Sequence, residues 1–64
     1  LLRRTLQAWF RHNVQPLATS KALFIHRNTL EYRLNRISEL TGLDLGSFDD
    51  RLLLYIALQL DEQR

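Results

Sequence analysis

Three observations predict an all-α fold, a small domain of four helices. Between residues 25 and 40, apolar side chains recur at helical spacing, which predicts a helix with one buried stripe. That stripe consists of Leu30, Leu34, Ile37 and Leu40. A shorter helical pattern covers residues 16–23, and only Phe24, Ile25 and His26 separate it from this helix. Two helices joined by so short a turn are typical of a helix-turn-helix. Boundary residues then mark two further helices, one on each side of this pair.

The boundaries follow from residues that favour helix ends. Pro16 suits a first helical position, and Gly42 lies where a left-handed C-terminal cap is expected. Ser47 is placed to cap the last helix, with Asp50 three residues on as an acidic version of the capping box and Asp49 near the positive end of the helix dipole. The predicted helices cover about residues 2–13, 16–24, 27–41 and 48–62.

The first two helices each show a face suited to the core. In the first helix this face holds Leu2, Leu6, Trp9, Phe10 and Asn13. In the second it is predicted to hold Leu17, Ser20, Leu23 and Phe24. Because Ser20 is small, we expect it where the two helices of the motif cross most closely.

The fourth helix has more apolar residues than one buried stripe requires. We predict that its inward stripe consists of Leu52, Leu53, Ile56 and Leu60. Leu54 and Leu58 then project from the opposite side, where they would contact another subunit or a missing region of the protein. The alternative is that they are stray exposed leucines, which are common on monomers.

Charge is distributed unevenly along the 64 residues, whose formal net charge is +2. Residues 1–36 carry seven basic side chains and one acidic side chain, for a net charge of +6. Residues 37–64 carry two basic and six acidic side chains, for a net charge of −4. Such a dipole would orient the domain toward a polyanion, although small proteins also scatter charge in this way by chance.

Composition excludes several classes of protein. The chain has no cysteine and two separated histidines, so it offers neither a disulfide framework nor a zinc site. His12 is expected to face solvent, and no catalytic constellation or cofactor motif is present. No apolar run reaches the length of a membrane span and no signal peptide opens the chain, which indicates a protein of the cell interior. The missing initiator methionine suggests that residues 1–64 are a single domain from a longer protein.

The exposed face of the third helix is the candidate site for nucleic acid. Arg27 can donate two hydrogen bonds to guanine, and Glu31 repels phosphate but can accept from cytosine N4. The predicted base contacts are His26, Arg27, Asn28 and Glu31. The predicted phosphate contacts are Lys21, Thr29, Tyr32, Asn35 and Arg36. As an alternative, Asn28 and Thr29 merely cap and start the helix.

Arg33 is predicted to have a different task. Its helical projection falls inside the apolar stripe, close to Leu30 and between Ile37 and Leu40. A charge there needs a partner, and we predict a structural ion pair with Asp49 or Asp50 at the start of the fourth helix.

Two segments of the sequence resemble a known family. The run LFIHRNTLEYRLNRISELTGLDL and the later run DDRLLLYIAL resemble the C-terminal helix-turn-helix domain of PucR-type bacterial transcription regulators. The first helices are also similar to the DNA-binding end of Fis-type nucleoid proteins. The chain departs from the PucR pattern at Thr19 and Ser20, where alanines are usual, and at Glu31, where a basic residue is common.

The resemblance implies a DNA-binding domain in the bacterial cytoplasm, at the end of a regulator that forms a homo-oligomer. It also implies an upstream region that binds a small-molecule effector, with double-stranded promoter or operator DNA as the partner of this domain. One rival is a helical protein-interaction or dimerisation module that uses Leu54 and Leu58. Another is RNA binding, disfavoured because exposed aromatic side chains for stacking are not evident.

Overall fold

Four helices joined by short connections form the computed structural model, which describes residues 1–63. They are α1 Leu2–Arg11, α2 Pro16–Leu23, α3 Arg27–Thr41 and α4 Phe48–Glu62. No strand occurs among the described residues. The all-α prediction is confirmed, and the observed bounds of α3 and α4 match those predicted. Pro16 occupies the first turn of α2, as expected from its fixed φ and missing N–H.

The first helix ends two residues earlier than predicted. Asn13 and Val14 both adopt positive φ, 57° and 55°, which is incompatible with a right-handed helix. The amide of Val14 donates to the carbonyl of Trp9 at 2.9 Å, and the amide of Asn13 donates to Phe10 at 3.1 Å. These bonds satisfy carbonyls at the helix end and turn the chain toward α2.

The core lies where α1, α3 and α4 meet. Its buried apolar cluster consists of Leu6, Trp9, Ile37, Leu54 and Leu58. Partly buried side chains surround this cluster: Leu2, Phe10, Val14, Leu34, Leu43 and Leu45. The predicted inward placement of Leu6, Trp9 and Ile37 is therefore confirmed. Leu40 is 61% exposed, so the predicted stripe of α3 does not extend through its last turn.

The second helix packs against α3 through a different face from the one predicted. Ser20 is buried as expected, but Thr19 is buried as well. On α3, Leu30 is fully buried. The hydroxyls of Thr19 and Ser20 donate to carbonyls within α2 and its cap, so burial leaves neither unsatisfied. Leu17 and Phe24 are exposed, which corrects their predicted inward placement. Leu17 lies about 110° around the helix from the centre of the buried face.

The predicted faces of α4 are reversed in the structure. Leu54 and Leu58 are buried in the core, whereas the predicted inward residues are between 45% and 63% exposed. Those residues are Leu52, Leu53, Ile56 and Leu60. Leu54 and Leu58 therefore cannot be an interaction surface, and the rival reading that used them is wrong. The first turn of α4 sets the rotation of the helix about its axis, because Asp50 and Arg51 both form hydrogen bonds with the preceding loop. These two side chains project on either side of the direction in which Leu54 points, so their bonds turn Leu54 toward the core.

The loop between α3 and α4 confirms one cap and corrects another. Gly42 ends α3 with φ 73°, and its amide donates to the carbonyl of Ser38 at 2.8 Å. Ser47 occupies the N-cap position of α4, but its side chain makes no capping hydrogen bond. The carboxylate of Asp50 instead accepts from the amide of Asp44 at 2.8 Å, so the predicted capping box is not formed.

Candidate nucleic-acid interface

A helix-turn-helix is formed by α2, α3 and the three residues between them, Phe24–His26. The amide of Ile25 donates to Ser20 and the amide of Phe24 donates to Lys21, at 3.0 and 3.2 Å. This pair of bonds is a Schellman motif, which closes the end of α2 and reverses the chain direction. The position that is usually glycine is occupied by Phe24, with φ 56° and ψ 42°. An L-residue in this left-handed region is strained by roughly 1–2 kcal/mol.

The side chain of His26 caps the recognition helix α3. Its Nδ1 accepts a hydrogen bond from the amide of Asn28 at 3.0 Å, and its backbone is extended, as an N-cap requires. Because Nδ1 is the acceptor, the proton of the neutral ring lies on Nε2. His26 therefore has two separate roles available to it: Nδ1 starts the helix, and Nε2–H can donate to another molecule.

All nine predicted contact residues are exposed: Lys21, His26, Arg27, Asn28, Thr29, Glu31, Tyr32, Asn35 and Arg36. Apart from the Nδ1 bond of His26, their side chains make no hydrogen bond or ion pair with any other part of residues 1–63. The structure brings eight of them together on the first ten residues of α3 and its cap, and leaves Lys21 on α2. Exposure makes these groups accessible to DNA, and their assignment to bases or phosphates stays a prediction.

Glu31 and Asn35 lie on one edge of the exposed face. Both line an open hollow that extends to Pro16 at the start of α2 and to Asp44 in the loop before α4. Thr29 and the other side of the face project away from that hollow. The candidate interface thus has an edge bordered by two carboxylates, and this edge is less suited to phosphate than the opposite one.

Helix dipoles favour an anion at the helix-turn-helix. Neither α2 nor α3 carries an acidic residue in its first turn, so the positive end of each dipole is not neutralised from within the helix. In contrast, the first turn of α4 carries Asp49 and Asp50. Together with exposed Lys21, Arg27 and Arg36, this arrangement concentrates positive potential at α2 and α3.

Arg33 does not form the predicted ion pair. The one ion pair among the described residues joins Arg3 to Asp61 at 2.9 Å. The reason is the direction in which the chain leaves α3: Ser38 bonds to the carbonyl of Leu43, so the loop and the start of α4 follow the flank of Ser38. Arg33 lies about 140° around the helix from Ser38, and it is only half-buried. A half-buried guanidinium can reach solvent without an acidic partner.

The described part of the chain contains neither a candidate metal site nor a candidate membrane-spanning helix. No group of three or more histidine, cysteine, aspartate or glutamate side chains among residues 1–63 could hold a metal ion. Within the same residues, every helix is too short or too polar to cross a membrane.

Comparison with known proteins identifies the domain. The PucR C-terminal helix-turn-helix domain matches residues 2–60, which is nearly the whole chain. The chain belongs to this family. The resemblance seen in the sequence is thereby confirmed, and the PucR domain is a helix-turn-helix domain of transcription regulators rather than an enzyme.

Relatives of this PucR domain include three regulators of known name. The chain is 94% identical over all of its 64 residues to the carbohydrate diacid regulator of Escherichia coli (strain K12). It is 38% identical over 98% of its length to the proline-responsive transcriptional activator PutR of Bacillus subtilis (strain 168). It is 44% identical over 92% of its length to the transcriptional activator PmfR of Paenarthrobacter nicotinovorans.

The chain spans only a small share of these relatives: 17% of the E. coli protein, 15% of PutR and 13% of PmfR. No solved structure matches the chain.

The structure of this PucR domain adds one residue to the candidate interface that the sequence pattern did not find. Phe24 is 95% exposed in the turn immediately before α3. Helical periodicity placed it inward because it follows α2 in phase, but the left-handed backbone at this position rotates its side chain away from the core. A strained, exposed aromatic residue beside the recognition helix is a candidate for function, since strain persists where a site requires it.

Proposed function

We propose that the chain binds double-stranded DNA sequence-specifically, with the N-terminal half of α3 in the major groove. The observation that carries this proposal is the first turn of α3. It is capped by His26, lacks acidic residues, and presents the exposed side chains of Arg27 and Asn28 without partners among residues 1–63. N-terminal residues of a recognition helix are the ones that reach base edges.

Base contacts and phosphate contacts are divided along the helix. Arg27 is positioned to donate two hydrogen bonds to guanine O6 and N7, and Asn28 is suited to adenine. Glu31, on the acidic edge beside Asp44, accepts from cytosine N4 rather than binding phosphate. His26 contributes Nε2–H as a donor.

Phosphate contacts are expected on the opposite edge of α3, on α2, and at Asn35, whose neutral amide lies on the acidic edge. Thr29 and Tyr32 offer hydroxyls, Asn35 offers an amide, and Lys21 and Arg36 offer charge. Each of the five is exposed in the structure. These contacts fix the orientation of the domain on the duplex without reading its sequence.

Phe24 supplies an apolar contact at the same surface. Its ring stands in solvent two residues before the cap of α3, so a DNA backbone approaching that cap also approaches the ring. Suitable partners are the deoxyribose face and the C5-methyl group of thymine, which is the apolar feature of the major groove. Burying part of this ring on binding would offset some of the strain stored at the turn.

A titration that resolves the role of Arg27 tests the proposal. Binding of fluorescein-labelled duplexes, first selected from a random pool, is measured by anisotropy at several salt concentrations. Arg27→Ala should weaken binding by roughly 1–3 kcal/mol and relax specificity at one base pair, without lowering Tm. Arg4→Ala is the matched control, because Arg4 is an exposed arginine on α1, outside the helix-turn-helix. Equal losses for both variants would refute base reading by Arg27.

Salt dependence gives a second measure of the same interface. Two exposed cations assigned to phosphates, Lys21 on α2 and Arg36 on α3, predict a slope of log K against log salt of about −2. Removing one phosphate-binding cation, as in Arg36→Ala, should reduce the slope by about 1 and weaken all sequences alike. A slope near zero would show that the basic surface does not contact phosphates.

RNA binding is tested in the same assay. Phe24 and Tyr32 are both exposed in the structure, so aromatic side chains are available for base stacking and their absence cannot be used to disfavour RNA. Duplex DNA is preferred because the helix-turn-helix fits a B-form major groove, whereas the A-form groove of RNA is too deep and narrow for side chains to read. Unlabelled duplex RNA should therefore compete poorly for the selected site.

The name of the relative at 94% identity, a carbohydrate diacid regulator, supports a regulatory role. We propose that the chain is the DNA-binding part of a bacterial activator that responds to sugar diacids and controls genes for glucarate, galactarate and glycerate use. Effector binding would then belong to the rest of such a regulator, the full-length protein would be a homo-oligomer, and DNA binding would take place in the cytoplasm. A reporter driven by the promoters of such genes, in cells producing the full-length regulator with and without Arg27→Ala, tests this role.

A further inference from the structure

The outer face of α4 carries a continuous apolar surface in the structure. Four large side chains form it, and we call them the α4 stripe: Leu52, Leu53, Ile56 and Leu60. At 100° per residue they fall within an arc of about 100°, directly opposite the buried side of the helix. Their exposed fractions are 45%, 56%, 48% and 63%. A surface of this kind on a 64-residue domain is typical of an interaction site rather than of scattered exposed residues.

We propose that the α4 stripe binds the α4 stripe of a second copy of this chain, with the two helices antiparallel and Ile56 near the two-fold axis. Leu52 lies four residues before Ile56 and Leu60 lies four residues after it. An antiparallel pairing centred on Ile56 therefore places Leu52 of each chain against Leu60 of its partner. The surface is self-complementary, which is what a two-fold interface requires.

Charge selects the antiparallel direction. Asp49 is exposed and lies within the arc of the α4 stripe, seven residues before Ile56, and exposed Gln63 lies seven residues after it. In an antiparallel pair Asp49 faces the neutral amide of the partner's Gln63, which can donate a hydrogen bond to the carboxylate. In a parallel pair Asp49 would face its own copy, and two carboxylates would repel across an apolar surface.

The remaining acidic side chains of α4 are held on the side that faces the domain. Asp50 accepts a hydrogen bond from the backbone amide of Asp44, Asp61 pairs with Arg3, and Glu62 accepts a hydrogen bond from the side-chain amide of Gln7. None of these three points into the α4 stripe. Asp49 is therefore the carboxylate that a partner must accommodate.

The area fits a weak dimer of the isolated chain. The exposed parts of the four side chains amount to roughly 350 Å² for each chain, and the pair with its polar rim would bury on the order of 1,000 Å². This is the lower limit for a specific interface, so we expect a dissociation constant weaker than about 1 μM. Association should then be visible only at high protein concentration. The proposal does not depend on DNA binding.

Sedimentation equilibrium of the 64-residue chain, from about 10 μM to 1 mM and without DNA, tests the proposal. The parent chain should show a monomer–dimer equilibrium. Ile56→Glu places two carboxylates at the axis and should weaken dimerisation at least about tenfold. Leu17→Glu is the matched control, because it introduces the same charge at an exposed leucine on α2, and it should leave dimerisation unchanged. Circular dichroism confirms folding, and Leu60→Glu replaces Ile56→Glu if that variant unfolds.

Mixtures of charged variants test the direction of the pair. Leu52→Glu chains should associate more tightly with Leu60→Lys chains than with Leu52→Lys chains, because antiparallel packing places residue 52 of one chain beside residue 60 of the other. Tighter association with Leu52→Lys chains would overturn the antiparallel arrangement. A parent chain that is monomeric at 1 mM, or a folded Ile56→Glu chain that dimerises normally, would overturn the interface and leave the α4 stripe to another partner.

Discussion

Replacing Phe24 by glycine should stabilise the fold and weaken DNA binding at once. The left-handed backbone at this position costs an L-residue roughly 1–2 kcal/mol, and glycine does not incur that cost. Glycine loses about 0.4–1 kcal/mol through the greater freedom of the unfolded chain. Because the ring is 95% exposed, almost no packing energy is lost with it. The net expectation is a gain of roughly 0.5–1 kcal/mol.

Thermal melts and DNA titrations separate the two effects. For a domain of this size the gain corresponds to a rise in Tm of roughly 4–7 °C. Phe24→Ala is the matched control: it removes the same ring but keeps the strained L-configuration, so its Tm should stay close to that of the parent. Both variants lose the apolar contact and should bind the selected duplex roughly five- to tenfold more weakly, about 1–1.5 kcal/mol.

The strain at Phe24 and the contact of its ring with DNA can be refuted separately. A lower Tm for Phe24→Gly than for Phe24→Ala would show that the turn is not strained at this residue. DNA affinities equal to that of the parent in both variants would show that the ring does not contact DNA, while leaving the contacts of α3 untouched.

Substitutions at three further residues test other parts of the structure. His26→Ala should cost about 1 kcal/mol of stability by removing the cap of α3, whereas His26→Ser restores the cap but not the Nε2–H donor, so melts should separate the two variants and DNA titrations should not. Arg33→Ala should lower the free energy of unfolding, measured by urea titration, by less than about 1 kcal/mol, because no acidic partner is left buried. A loss near 3 kcal/mol would indicate that Arg33 does form a buried ion pair. Leu58→Ala should cost about 2–5 kcal/mol and leave a domain of this size largely unfolded by circular dichroism, and a folded variant would show that α4 contributes little to the core.

The sequence is sufficient to predict helix boundaries where the residue at the boundary itself favours a helix end. Pro16 and Gly42 mark helix boundaries through a fixed φ and a left-handed φ, respectively, and both operate in the structure as local physics predicts. The stripe of α3 was equally readable, because Leu30 and Ile37 stand among polar neighbours on the other sides of the helix. The exposure of the predicted contact residues followed from the same contrast.

Residues at the turn could not be placed in this way. Phe24 continues the phase of α2, and only the left-handed backbone, which sequence rarely predicts for a phenylalanine, turns it outward. The capping role of His26 was missed because histidine is not among the favoured N-cap residues. The ion pair of Arg33 failed for a tertiary reason: the flank along which the loop leaves α3 depends on hydrogen bonds of Ser38 and Asp50 that no periodicity encodes.

The fourth helix shows why periodicity alone could not choose its buried side. Large apolar residues occur on both sides, so two phases fit the pattern, and the prediction took the side with more of them. The structure buries Leu54 and Leu58 instead, because the bonds of Asp50 and Arg51 to the preceding loop fix the rotation of the first turn. Either choice leaves apolar residues in solvent, since one helix of a small domain can bury only one face. The excess of apolar residues on α4 is therefore a property of the sequence. Local polar contacts determine that the larger group of these residues, the α4 stripe, is the exposed one.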